Sequence, residues 1–177
     1  MEVGPLRLFF ALPLTPELQE ALGRWQGRQP PARWVRPEGL HLTLAFLGGR
    51  APGALGPLAG LGAQVAARHA TFPLRTAALG GFPREDRARI LWLGLAPSPP
   101  LAALAADLRA TLAAAGEAFD PKPFRPHLSL ARFRSPQALA GFAAPPAAAF
   151  AAGRLVLFES RPQGCYAPLQ AWHLRTV

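Results

Sequence analysis

The chain has 177 residues, half of them hydrophobic and 16% charged, which suits one domain with a real core and argues against a disordered segment. No apolar run approaches the ~20 residues of a membrane helix. The first one, Leu6–Leu12, carries Arg7, stops at Pro13 and lacks a small-residue cleavage site, so a strand is expected there rather than a signal peptide, and a cytoplasmic location with it. The net charge of +9 suits a polyanionic partner. Every basic residue but Lys122 is arginine, however, amid abundant alanine and proline, as a GC-rich genome produces. Charge alone therefore says little.

In chain order, strand-like runs are expected at Leu6–Leu12, Leu40–Leu47, Thr71–Ala77, Arg89–Leu95, His127–Phe133, Leu155–Phe158 and Tyr166–Leu174. Four helix starts share a residue followed by proline: Thr15-Pro16, Ala51-Pro52, Ser98-Pro99 and Ser135-Pro136. Proline is well tolerated at the first helical position, where its missing N–H has no helical partner in any case. After Thr15, the residues Leu18, Ala21, Leu22 and Trp25 form an i, i+3, i+4, i+7 stripe ending near Gly27. Leu101, Leu104, Ala105, Leu108 and Leu112 do the same after Ser98. The helix after Ala51 carries Gly56, Gly60 and Gly62 and reads less clearly; the one after Ser135 is short. The Ala/Pro stretch Ala143–Ala152 reads as a loop. The order strand, helix, strand, helix, strand occurs from residue 6 to about 80 and again from about 89 to 160. A single domain over 1–177 is expected, built of two pseudo-symmetric lobes around a shared cleft.

The duplication is sharpest in two places. His41-Leu42-Thr43-Leu44-Ala45 and His127-Leu128-Ser129-Leu130-Ala131 agree at four of five positions, and the fifth exchanges one hydroxyl for another. Each histidine also follows a proline by four residues, Pro37 and Pro123. Side chains alternate faces along a strand, so His41 and Thr43 project together while Leu42 and Leu44 enter the core. His127 and Ser129 project likewise. A histidine titrates near neutrality, and two of them can take and give a proton in one reaction. The hydroxyls can donate to phosphate oxygens whose charge must be held as phosphorus becomes five-coordinate. A 2′,3′-cyclic phosphodiester suits such a set, because ring strain and a tethered leaving oxygen lessen the need for a metal. A two-histidine metal site is disfavoured, since neither strand offers Asp, Glu or Cys to complete a ligand set. A single His-x-Thr would be read as structural; two matching copies reverse that judgement. His69 and His173 have no hydroxyl two residues on and are read as structural or exposed, and Cys165, the one cysteine, as a structural thiol that cannot form an internal disulfide.

At these residues the sequence resembles the 2H phosphoesterase family, in its RNA 2′,3′-cyclic phosphodiesterase (2′–5′ RNA ligase-like) branch. The resemblance runs nearly end to end, through Leu6–Ala11, Trp34–Gly48, Arg89–Gly94 and Phe124–Arg132, with a looser closing segment at Glu159–Tyr166. It implies an α+β, bilobal duplicated fold with two antiparallel sheets, helices outside and a central cleft. It also implies hydrolysis of an RNA 2′,3′-cyclic phosphate to a 2′-phosphate without a cofactor; a monomer acting on an RNA end and not on membranes is expected, although the sequence does not decide the oligomeric state. The resemblance makes His41 the proton donor and His127 the proton acceptor, an assignment the near-symmetric motifs alone leave open. Serine stands at 129 where the branch more often has threonine. Thr43 and Ser129 are expected to bind substrate. Arg132 is a candidate phosphate or base contact, although strict alternation would put it on the core face, where an unpaired charge is expensive. Phe46, its counterpart, is a candidate for stacking on a nucleobase or for the core; Arg36 and Arg125 are either charges at the cleft edge or only solvated ones. Ligation as the main direction and a non-catalytic RNA-binding protein are the alternatives. Turnover of a cyclic-phosphate RNA end is expected to persist in excess EDTA; loss of activity that a divalent ion restores would favour the metal site instead.

Overall fold

A computed structural model of the chain describes residues 4–176. The strands are β1 (Leu6–Pro13), β2 (Arg33–Trp34), β3 (His41–Arg50), β4 (Phe72–Phe82), β5 (Ala88–Leu95), β6 (His127–Gln137), β7 (Ala149–Ala152), β8 (Arg154–Arg161) and β9 (Cys165–His173). Three helices interrupt them: α1 (Pro16–Gln26), α2 (Leu55–Arg68) and α3 (Pro99–Ala114). Each begins as the prolines imply, although α2 is preceded by a 3-10 turn over Pro52–Ala54. Only at α3 does a cap side chain act, with Ser98 Oγ accepting from Leu101 N at 3.3 Å. Among the described residues no helix is long and apolar enough to cross a membrane.

The strands run in the order β7-β4-β5-β6-β3-β1-β8-β9, all neighbours antiparallel, with β2 added to β6. Two four-stranded halves are thus visible, β7-β4-β5-β6 and β3-β1-β8-β9. They join where β3 meets β6, and the register there is the single pair Leu42–Leu128. The halves are not consecutive in sequence: β4 follows β3 and α2 but pairs with β5, while β8 follows β6 and β7 but pairs with β1. The apolar stripes of the helices, Leu18, Leu22 and Trp25, then Leu58 and Val65, then Leu101, Leu104, Leu108 and Leu112, share one core with Leu42, Leu44, Leu128 and Leu130. That core lies on one face of the sheet and leaves the other face of β3 and β6 to a cleft.

Two expectations need correction. Ser135-Pro136 does not open a helix: both residues belong to the exposed end of β6, and only a 3-10 turn, Leu139–Gly141, follows. Proline is tolerated in such a strand end because no ladder bond is lost there. Nor is Ala143–Ala152 all loop. Its last four residues form β7 on the outer edge of β4, with Phe150 and Ala152 buried and Ala149 and Ala151 exposed, an alternation hidden by the surrounding alanines. The strand expected at Thr71–Ala77 also runs on to Phe82.

Helix α2 forms despite its glycines because one of them lets it dock. A Cβ on Gly62 would lie 2.6 Å from Trp172 and 2.9 Å from Phe10, whereas nothing lies within 4 Å of one on Gly60. Gly62→Ala is therefore expected to cost about 1–3 kcal/mol through overpacking, and Gly60→Ala to add about 0.5–1 kcal/mol through helix propensity. Thermal melts of the two variants, side by side, should move in opposite directions.

Candidate active site

The antiparallel register through Leu42 and Leu128 sets His41 beside Ser129 and Thr43 beside His127, since flanking residues of such a pair lie opposite each other. Two imidazoles occupy one diagonal of this square and two hydroxyls the other. All four side chains are half-buried, and the leucines between them, Leu42, Leu44, Leu128 and Leu130, are fully buried. The alternation read from the sequence holds this far.

Beyond the hydroxyls it breaks, in the same way on both strands. Phe10 pairs with Ala45 and Ala11 with Thr43, so Leu44 is an extra residue in β3; Leu91 pairs with Ala131 and Trp92 with Ser129, so Leu130 is an extra residue in β6. Each bulge falls three residues after its histidine. A bulge shifts the phase of all that follows. Leu44 and Ala45 are consequently both buried, as are Leu130 and Ala131, and the next residues, Phe46 and Arg132, turn to the cleft. This corrects the core-face placement that strict alternation gave Arg132 and removes its desolvation cost. The carbonyls freed at the bulges are both satisfied: Arg109 Nε on α3 donates to Leu44 O at 3.1 Å, and Val35 N to Leu130 O at 2.8 Å.

Both histidines are oriented by the same local device. His41 Nδ1 donates to Gly39 O at 2.8 Å, and His127 Nδ1 donates to Arg125 O at 2.6 Å. A carbonyl only accepts, so the hydrogen of each neutral ring is fixed on Nδ1, and Nε2 is the nitrogen that takes or gives a proton. Their surroundings differ. His41 lies against Phe9 and Tyr166, each 4.7 Å away between ring centroids, with Phe158 at 5.9 Å. His127 meets Phe82 edge-on at 5.2 Å and Trp92 at 6.3 Å. Burial among these rings pushes the His41 pKa down to about 4, the Gly39 hydrogen bond opposing and the charge of His127 adding to the shift. His41 is therefore neutral at pH 7.

Two cavities meet over the square. One of about 240 Å³ is lined by His41, Thr43, Ser129, Arg132, Tyr166 and Arg7, among others. The other, about 550 Å³, lies beside His127 and Thr43, with Phe46, Phe82 and Phe124 as aromatic walls and Arg109, Lys122 and Arg125 as cations. Thr43 and Phe46 line both. The loop leading into β6 is fastened to this floor. Asp120 N donates to Phe46 O at 2.8 Å, and Arg109 Nη1 donates to Lys122 O at 2.7 Å. Arg36 is exposed and lines neither cavity. His69 is half-buried at the end of α2, within 2.8 Å of Asp107, and His173 is exposed; both lie outside the cleft. Cys165, a free thiol, opens β9. Among the described residues no group of three or more His, Cys, Asp or Glu is placed to hold a metal ion.

Sequence reasoning passed over Arg7, Phe9, Phe82, Arg109 and Tyr166 as site residues. Arg7 and Phe9 alternate along β1 as His41 and Thr43 do along β3, which was a usable signal. Tyr166 and Arg109 come from elements distant in sequence, and only the fold brings them in.

Residues 14–163 match the model of the 2′–5′ RNA ligase superfamily. The chain is 34% identical to the RNA 2′,3′-cyclic phosphodiesterase of Escherichia coli K12, over 96% of this chain and 97% of that one. It is 39% identical to the protein of the same name from Geobacillus stearothermophilus, over 70% of this chain but only 41% of the length of that relative. Among solved structures, E. coli LigT complexed with 3′-AMP superposes with a TM-score of 0.81 at 32% identity, covering 96% of this chain and 98% of that one. The match runs through both motif strands, β3 and β6, and over most of the chain, and the chain belongs to the 2′–5′ RNA ligase superfamily.

Proposed function

We propose that the protein is a phosphoric diester hydrolase that opens an RNA 2′,3′-cyclic phosphate to a 2′-phosphomonoester, with His41 as proton donor and His127 as proton acceptor. The observation that carries this reading is the diagonal pair of imidazoles across Leu42 and Leu128, each with its Nδ1 hydrogen committed to a carbonyl. Displacement at phosphorus places the entering and departing oxygens at opposite ends, so proton acceptor and donor must stand on opposite sides of the phosphate. A phosphate centred on the square meets Nε2 at two corners and a hydroxyl at the other two. The relatives named RNA 2′,3′-cyclic phosphodiesterase, one matched over nearly its full length, support the substrate. The 550 Å³ cavity is within the usual size range of a small-molecule site, and its aromatic walls suit a nucleobase. Phe46 stands where the phosphate site opens into it.

In this reaction a water oxygen attacks phosphorus as its proton passes to His127 Nε2. The bond from phosphorus to the 3′ oxygen breaks, and that oxygen takes the proton of His41 Nε2. The 2′ oxygen stays on phosphorus. Thr43 and Ser129 hydroxyls donate to the non-bridging oxygens, whose charge grows in the transition state. For His41 to give a proton it must first be charged, which burial opposes. An anionic phosphate beside it favours the charged form, so the substrate itself loads the acid. Cytoplasmic location and a monomeric state accord with this reading.

His41→Ala and His127→Ala are each expected to lower turnover by about 10²-fold or more. A substrate with sulphur in place of the 3′ oxygen, whose leaving group needs no proton, should rescue His41→Ala and not His127→Ala. The opposite pattern would exchange the two roles. Ser129→Ala and Thr43→Ala should each cost up to ~2.7–4 kcal/mol in transition-state stabilisation, and Ser129→Thr should keep most activity. Unaltered kinetics in both alanine variants would remove the hydroxyls from the phosphate site.

A second expectation follows from the low pKa of His41. Below the ordinary histidine range the free protein stays unprotonated at this ring until about pH 4, so binding of a 2′-phosphate product at neutral pH should take up a proton and weaken as pH rises. Calorimetry in buffers of different ionisation enthalpy reads the uptake directly, and His41→Gln should abolish it.

A further inference from the structure

Beyond the square, at its His41–Ser129 end, β6 carries Arg132 and β2 carries Arg33 directly opposite it in register. Their neighbours Ala131 and Trp34 form the next pair and face inward: Ala131 is fully buried, and Trp34 packs on Trp25 at 5.5 Å and Phe142 at 6.0 Å. Arg33 and Arg132 therefore share the opposite side of their strands, that of the cleft, where Arg132 lines the cavity of His41 and Arg33 lies exposed beyond its lining. Like charges directly opposed across two strands are destabilising. Among the described residues neither arginine meets a carboxylate; the ion pairs of the protein involve Arg24, Arg50, Arg68, Arg84, Lys122, Arg161 and His69 instead. A bridging anion would convert that repulsion into two charge-assisted contacts.

The polarity of the substrate says which anion that is. In a nucleoside 2′,3′-cyclic phosphate the 2′ oxygen lies on the side of the base, and the 3′ oxygen on the side of the 5′ carbon. With the 3′ oxygen toward His41 and the base toward Phe46, Phe82 and Phe124 beside His127, the 5′ carbon points to the His41–Ser129 end. There it meets Arg132 and Arg33. We propose that this pair binds the phosphodiester immediately upstream of the cyclic nucleotide, so that the protein selects RNA ends over free nucleoside 2′,3′-cyclic phosphates. The inference rests on the reaction and the acid–base assignment given above. It adds a second phosphate site, a direction for the bound strand and a role for Arg33, a residue the motifs do not touch.

The test compares adenosine 2′,3′-cyclic phosphate with the dinucleotide that ends in the same residue, on the same enzyme preparations. For the wild-type protein kcat/KM is expected to be about tenfold higher for the dinucleotide, the scale of one or two hydrogen bonds to a charged group. Arg33→Gln should pull that ratio toward one, mainly through KM of the dinucleotide, and Arg33→Lys should recover part of it. A dinucleotide with an uncharged methylphosphonate linkage should behave like the mononucleotide. Raised salt should weaken the dinucleotide preference of the wild type more than that of Arg33→Gln. Because each ratio is internal to one preparation, a partly folded variant cannot mimic the result. A wild-type ratio near one, or a ratio unmoved in Arg33→Gln, overturns the second phosphate site and leaves the reaction standing. Failure of the wild type to open either substrate overturns the reaction itself.

Discussion

Where β3 meets β6, Leu42 and Leu128 face each other with no exposure to solvent, and their burial holds together halves that otherwise splay around the cleft. Each buried leucine contributes roughly 1.5–3 kcal/mol, yet the larger consequence is geometric. A slip of one residue at this contact would turn both motif strands over and send four polar side chains into the core. The register is therefore guarded twice, by what the leucines gain from burial and by what the imidazoles and hydroxyls would lose. Spacing between the histidines follows from it without further help.

Two bulges extend this frame. Period-two reading carries the sequence argument from His41 to Thr43 and from His127 to Ser129, and the structure agrees so far. It cannot see an inserted residue, so strict alternation alone would put Arg132 on the core face, whereas the bulge turns it to the cleft, the side where its charge suggested a phosphate or base contact. The trace of each bulge is nonetheless present, as two consecutive apolar residues, Leu44-Ala45 and Leu130-Ala131, before a side chain unsuited to the core or larger than it needs. Where apolar residues are this common such a trace is weak, for the same reason that β7 was hidden among alanines. The bulge carbonyls are held from outside their own strands, by Arg109 and Val35, and a contact of that kind has no sequence signature. The helices α1 and α3 were legible because their apolar stripes repeat locally, the paired motifs because they repeat each other, and the fold class through the family resemblance those motifs carry. The exchange of β4 and β8 between halves was not, because pairing partners are chosen by the whole sheet.

Near-identical motifs end in unequal sites. His41 is closed in by Phe9, Phe158 and Tyr166, contributed by β1, β8 and β9, while His127 has Phe82 and Trp92 from β4 and β5. The asymmetry thus comes from the strands that flank the motifs, not from the motifs themselves. Its chemical effect is to keep His41 unprotonated at neutral pH. A neutral imidazole there spares the fold an isolated buried cation, whose desolvation would otherwise weigh on stability.

The surplus of arginine takes on meaning through this arrangement. Away from the cleft, Arg24, Arg68, Arg84 and Arg161 each lie against a carboxylate, and Arg68 shares Asp107 with His69. At the cleft the pattern changes. Arg109 donates to two carbonyls, and Arg7 lies over the ring of Phe46 at 5.5 Å. Arg125 and Arg132 line the two cavities, and no ion pair among the described residues involves either. Exposed arginines outside any ion pair also lie elsewhere among the described residues, Arg28, Arg75, Arg87, Arg134 and Arg154 among them, and Asp120 lies against Lys122 in the larger cavity, so the concave setting of Arg125 and Arg132, not a lack of acidic partners, is what sets the cleft apart. The formal charge of +9 was ambiguous as a sum. The placement says more than the sum, because guanidinium groups lining a concave site, as Arg125 and Arg132 do, raise the local potential for anions.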